Sequence, residues 1–198
     1  MNLKTGLFNL SRRTNWLTVL ALISMGLLTM APAPPPPYGG PSAVVVIHVT
    51  STADSLADDG LCTLREAIIA ANTNTASGLS PGECPAGQEA VKDIITLADG
   101  ATYSLTIDST PDEDAAQDGD LDIWDNSAAT DLIIAVENNG TATISQDAAV
   151  DERVLHILGA TVKVEGLTLM GGATPHDGGG IAVHGGALTM EEDRKSVV

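Results

Sequence analysis

Between Val154 and Met190 apolar residues alternate with polar ones, and the whole pattern returns after 26 positions. Leu155, Ile157, Gly159, Val162, Val164 and Glu165 fall on Ile181, Val183, Gly185, Leu188, Met190 and Glu191. Each copy reads as two short strands with a glycine corner between them, apolar residues on one face and Lys163 or Thr189 on the other. Leu167-Thr-Leu169, Gly171-Gly172 and Gly178-Gly179-Gly180 add a third strand and a wide turn. Three strands per period of roughly 26 residues suits a coiled β-solenoid, in which each coil buries its inner face against the next. The same alternation is looser upstream. Ile94 to Leu97 and Tyr103 to Ile107 flank the turn Asp99-Gly100, and Leu132, Ile134 and Val136 precede the turn Asn138-Asn-Gly140 and a strand from Thr141 to Ile144. Val44 to Val49 is apolar and β-branched, predicting a buried strand with no clear polar face.

One segment follows a different period. Thr63-Leu-Arg-Glu66 is a complete capping box, with Thr63 as N-cap and Glu66 reaching back to it. It predicts a helix to about Asn72 whose apolar stripe is Leu64, Ala67, Ile68 and Ala71, with Arg65 and Glu66 off the stripe. Laid across the first coil, such a helix would close the open end of a solenoid. The capping role accounts for Glu66, so the Arg65-Glu66 pair is not read as catalytic.

These residues carry a resemblance. Arg153-Val-Leu-His-Ile157, Gly159-Ala-Thr-Val162, Glu165-Gly-Leu-Thr-Leu169 and Gly178-Gly-Gly-Ile181 look like coils of right-handed parallel β-helix proteins of bacterial surfaces. Cys62-Thr-Leu-Arg-Glu-Ala67 is similar to the Cys-Ser-Leu-Arg-Glu-Ala (CSLREA) motif at the N-terminal end of one such family, departing by Thr63 for serine, which keeps the hydroxyl. The resemblance spans roughly Val44 to Glu192. It implies an all-β, right-handed parallel β-helix with a short N-terminal capping helix, and it implies no particular chemistry.

The front of the chain has another character. Lys4, Arg12 and Arg13 precede the uncharged run Trp16 to Met30, whose length suits a signal-peptide core better than a membrane span, an uncleaved anchor being the alternative. The expected organisation is a signal peptide over residues 1–33, a Pro/Gly-rich linker over 34–43, the capped β-helix over 44–192 and an irregular tail over 193–198. Beyond the leader the basic residues are Arg65, Lys92, Arg153, Lys163, Arg194 and Lys195, against all 26 acidic ones. Such a surface repels nucleic acid and anionic lipid, and no membrane contact is expected beyond the leader. Export would place Cys62 and Cys84 in an oxidising compartment where two cysteines pair, two buried free thiols being the alternative. The expected location is outside a bacterial cell or on its surface.

Candidate chemistry is sparse. Asp118, Asp120 and Asp122 alternate along an extended segment with Leu121 and Ile123 opposite; they are either oxygen ligands for calcium or a solvated face. No other cofactor is expected. His156 and His184, near coil corners, read as ordinary surface or edge histidines, and His176-Asp177 as an exposed pair in the wide glycine loop. No nucleophile-base pair stands at a recognisable spacing, cations are few, and aromatics make up only 3% of the chain, too few for a stacked sugar cleft. The expected function is therefore non-catalytic: adhesion, or binding of an extracellular polysaccharide or surface protein. The rival is a polysaccharide lyase or glycoside hydrolase of the pectin-lyase-like type. Only two regular coils are seen before the tail, so the solenoid is expected to be truncated and to self-associate through its last coil.

Overall fold

A computed structural model describes residues 44–88, 91–108, 113–124, 131–147, 152–174 and 178–191. The expectations for the leader, linker, tail and His176-Asp177 lie outside these residues. The described chain is dominated by short strands: β1 (Val45–His48), β2 (Asp93–Leu97), β3 (Thr102–Leu105), β4 (Leu121–Trp124), β5 (Asp131–Val136), β6 (Ala142–Gln146), β7 (Leu155–Leu158), β8 (Thr161–Glu165), β9 (Leu167–Gly171), β10 (Ile181–His184) and β11 (Ala187–Glu191). One helix, α1 (Leu64–Thr73), stands between β1 and β2.

Every ladder is parallel, and the strands form three sheets in the orders β1-β2-β5-β8-β11, β4-β7-β10 and β3-β6-β9. From β2 onward the chain visits the sheets in rotation. Strands that the turn signals separate, such as β2 and β3, therefore belong to different sheets, and turns that would mark hairpins are corners instead. Asn138 and Asn139 take left-handed φ of 54° and 52° at one such corner. Gly166, at φ +72°, makes another: a Cβ there would collide with the Gly140 carbonyl.

Stacking is in register, so like residues form columns. Ile47, Ile95, Ile134 and Val164 align across the first sheet and are all buried; Leu121 and Leu155, and Ile123 and Ile157, align in the second. Each fully buried aliphatic side chain contributes about 1.5–3 kcal/mol, so these columns are the core. The 26-residue repeat is realised as strand register: Leu155 pairs with Ile181, and Val162 with Leu188. β1 departs from its expected burial. As an edge strand it buries Ile47 and leaves Val46 and His48 exposed.

Helix α1 begins as its sequence predicts. The Thr63 hydroxyl accepts from the Glu66 amide (3.2 Å) and a Glu66 carboxylate oxygen accepts from the Thr63 amide (2.9 Å). Asn74, at φ 52°, ends it. Cys62, just before the cap, is disulfide-bonded to Cys84, and both are buried. The expected helical face needs correction. Arg65 and Glu66 are buried with Leu64, Ala67 and Ile68. Arg65 is covered by Asp54 and the carbonyls of Ala116 and Asp118 to Asp120, and Glu66 accepts from the amides of Ala57 and Thr63.

Candidate functional site

Two buried polar centres flank the segment Glu113 to Asp120, and each is built by elements distant in sequence. The first is Arg65. Its Nε and Nη2 donate to the two carboxylate oxygens of Asp54 (2.6 and 3.1 Å). Nη1 donates to the carbonyls of Ala116, Asp118 and Asp120 (3.1, 3.0 and 3.2 Å), and Nη2 also donates to that of Gly119 (2.9 Å). Both charged side chains are essentially inaccessible, with 0% and 2% exposure. Asp54 additionally accepts from the amides of Thr106 and Ile107, so its lone pairs are well used. The planar guanidinium fork is what makes so many simultaneous acceptors reachable. Nearby, Asn72 of α1 donates to the Asp122 carbonyl (2.8 Å) and accepts from the Trp124 amide (3.3 Å), occupying the edge of β4 as a neighbouring strand would.

The second centre lies on the outward side of the β4-β7-β10 sheet, where Asp122 and His156 are direct register partners. His156 Nδ1 is 3.0 Å from Asp122 Oδ1 and 3.6 Å from Asp114 Oδ1. His156 Nε2 is 3.2 Å from His184 Nδ1, the two rings meeting edge to face. Asp122 Oδ2 accepts from the Ala116 amide (3.0 Å). The segment carrying Ala116 thus covers this part of the sheet. Asp122 and His156 are buried, whereas the Asp114 side chain is 65% exposed.

Burial pushes the Asp122 carboxyl up to about 8, with the neighbouring Asp120 charge adding to the effect. Burial pushes the His156 imidazole down, helped by Arg153 and His184. Both shifts favour neutral groups that share one proton along the Oδ1 to Nδ1 line. Asp120 is raised to about 6, by burial first and by Glu152 second, against the attraction of Arg153, whose Nη1 stands 3.4 Å away.

The three aspartates expected to act together do not. Asp118 and Asp120 precede β4 in a bent segment, and Gly119 between them is left-handed at φ 56°. Their alternation is broken there, so Asp118 and Asp120 turn carbonyls to Arg65, Asp120 meets Arg153 and Asp122 meets His156. Nor is this a solvated face, since Asp120 and Asp122 are buried. His156 and His184 also differ from expectation: they are a contacting pair, and the first is buried. The two stand 28 residues apart, close to the repeat length, which was the available sign that they share a sheet face. Asp54 and Asp114 carried no signal beyond turn chemistry and an acidic run.

Sequence and fold comparisons add no relative: no protein-family model matches the chain, and no curated protein or solved structure is significantly similar to it.

Proposed function

We propose that the chain is an exported, right-handed parallel β-helix of the CSLREA-motif type, closed at its N-terminal end by α1 and its disulfide, that binds an extracellular polysaccharide without altering it. The observation that carries the binding reading is the outward face of the β3-β6-β9 sheet. Thr102, Thr143 and Thr168 stand in one register row, and Ser104, Ser145 and Met170 in the next. Parallel strands set such hydroxyls about 4.8 Å apart on a flat surface, a spacing and chemistry suited to an extended glycan. Asp147 holds the second row by accepting from Ser145 (2.7 Å). Support for export comes from the disulfide, which belongs to an oxidising compartment. Among the described residues no helix is long and apolar enough to cross a membrane.

Retention of the oxidised chain on a panel of insoluble polysaccharides tests this reading. The variant with Thr102, Thr143 and Thr168 all changed to valine should lose retention while keeping its melting temperature. Equal retention by that variant would remove the hydroxyl rows from the reading. The lyase or hydrolase alternative draws support from the raised carboxyls of Asp120 and Asp122 beside Arg153 and His156, since perturbed acids cluster at reaction centres. Turnover of any panel member, abolished by Asp120→Asn, would favour it.

A further inference from the structure

We propose that Asp114, Asp122 and His156 form a binding site for a zinc-class divalent cation. One ligand atom from each residue lies within 4.8 Å of the other two. Zinc holds oxygen and nitrogen at about 2.0–2.1 Å, which places tetrahedral ligands about 3.3 Å apart. The separations of His156 Nδ1 from the two carboxylates, 3.0 and 3.6 Å, bracket that value. Two of the ligands are register partners on adjacent strands, a rigid base, and the third comes from the segment folded over them.

The groups around the ligands point the same way. Asp122 Oδ2 is engaged by the Ala116 amide, which leaves Oδ1 directed at the imidazole. When His156 Nε2 carries its proton toward His184 Nδ1, Nδ1 offers a lone pair to a point that two carboxylates also face. A cation would replace the proton shared by Asp122 and His156, leaving three acceptors converging on it, while Arg153 Nη1 is directed to Asp120. His184 then acts as the outer partner that fixes the ring, a recurrent feature of histidine ligation. One nitrogen with carboxylate oxygens suits zinc or cobalt better than calcium, which takes six to eight oxygens. Exposed Asp114 supplies the path by which the ion enters and leaves an open coordination position for water.

Cobalt and zinc are the probes. The full oxidised chain should bind one equivalent of Co²⁺ with the intense visible absorption of a low-coordinate ion, displaced by Zn²⁺ and unaffected by millimolar Ca²⁺. Zinc titration calorimetry on Asp114→Asn, which alters an exposed side chain and keeps the fold, should show affinity weakened about 100-fold, as should His156→Gln. His184→Ala should weaken it about tenfold, the effect of an outer partner. His48→Ala, distant on β1, should change nothing. Zinc bound as tightly by both Asp114→Asn and His156→Gln as by the parent would overturn the proposal. So would displacement of cobalt by calcium, or no stoichiometric uptake by a parent chain of native circular dichroism.

Discussion

Arg65 and His156 are both buried, both face carboxylates, and both sit against the same short segment, yet they are opposite in kind. Arg65 is a permanent cation surrounded by a carboxylate and four carbonyls, each within hydrogen-bond distance. The His156 centre gathers acceptors around a ring that is neutral or charged according to its surroundings. The difference separates two uses of buried polarity. A centre that supplies its own opposite charge holds the fold together; a centre whose acceptors outnumber its donors answers to protons or metal ions.

Removing the cation from the first centre should have the largest effect. Arg65→Met leaves Asp54 buried and four carbonyls without their donor, so denaturant unfolding should show a loss of about 3–5 kcal/mol. Arg65→Lys should recover little of it, because an ammonium cannot span the fork. A stability within experimental error of the parent would mean that the segment is held elsewhere. Next comes the disulfide that anchors the start of α1. The Cys62→Ser, Cys84→Ser double variant should lose roughly 3 kcal/mol on the chain-entropy model, read in the same experiment.

The second centre should be revealed by pH. Asp120 and Asp122 have folded values of about 6 and about 8, above the ordinary 3.8. Raised carboxyls favour the fold when protonated, so their contribution is complete below about pH 4 and is lost as pH rises through 6 and 8. His156, held down, works against this as pH falls below the usual imidazole range. With two carboxyls against one imidazole, Tm should be about 3 °C or more higher near pH 5 than near pH 8, the reverse of ordinary acid denaturation. The Asp120→Asn, Asp122→Asn variant should flatten the profile; an unchanged slope would place the titrating groups elsewhere. The smallest effect belongs to the helix cap. Thr63→Ala should cost about 1 kcal/mol and Thr63→Ser almost nothing.

The parallel, strand-rich architecture was legible wherever residues repeat at fixed spacing. Leu155 and Ile181 announce their own pairing, and the capping box marks the start of α1 to the residue. Legibility fails where the interval between stacked strands changes. Asp122 and His156 stand opposite each other at an interval different from that of Leu132 and Val162, so no period links the first pair. The burial of Arg65 was hidden for another reason. Four of its acceptors are backbone carbonyls more than fifty positions away, and a carbonyl leaves no trace in residue identity.

Those unequal intervals have a consequence for how such a chain can change over time. The span from Val45 to its partner Asp93 is nearly twice that from Ala142 to Leu167, yet both pairs sit in register. Ladder bonds and inward columns constrain only the strands themselves, while the connections between them vary in length at small entropic cost. A lineage can therefore insert or remove whole loops at the corners without retuning the core. New surface chemistry, such as the segment that brings Asp114 over β4 and β7, can be acquired one connection at a time.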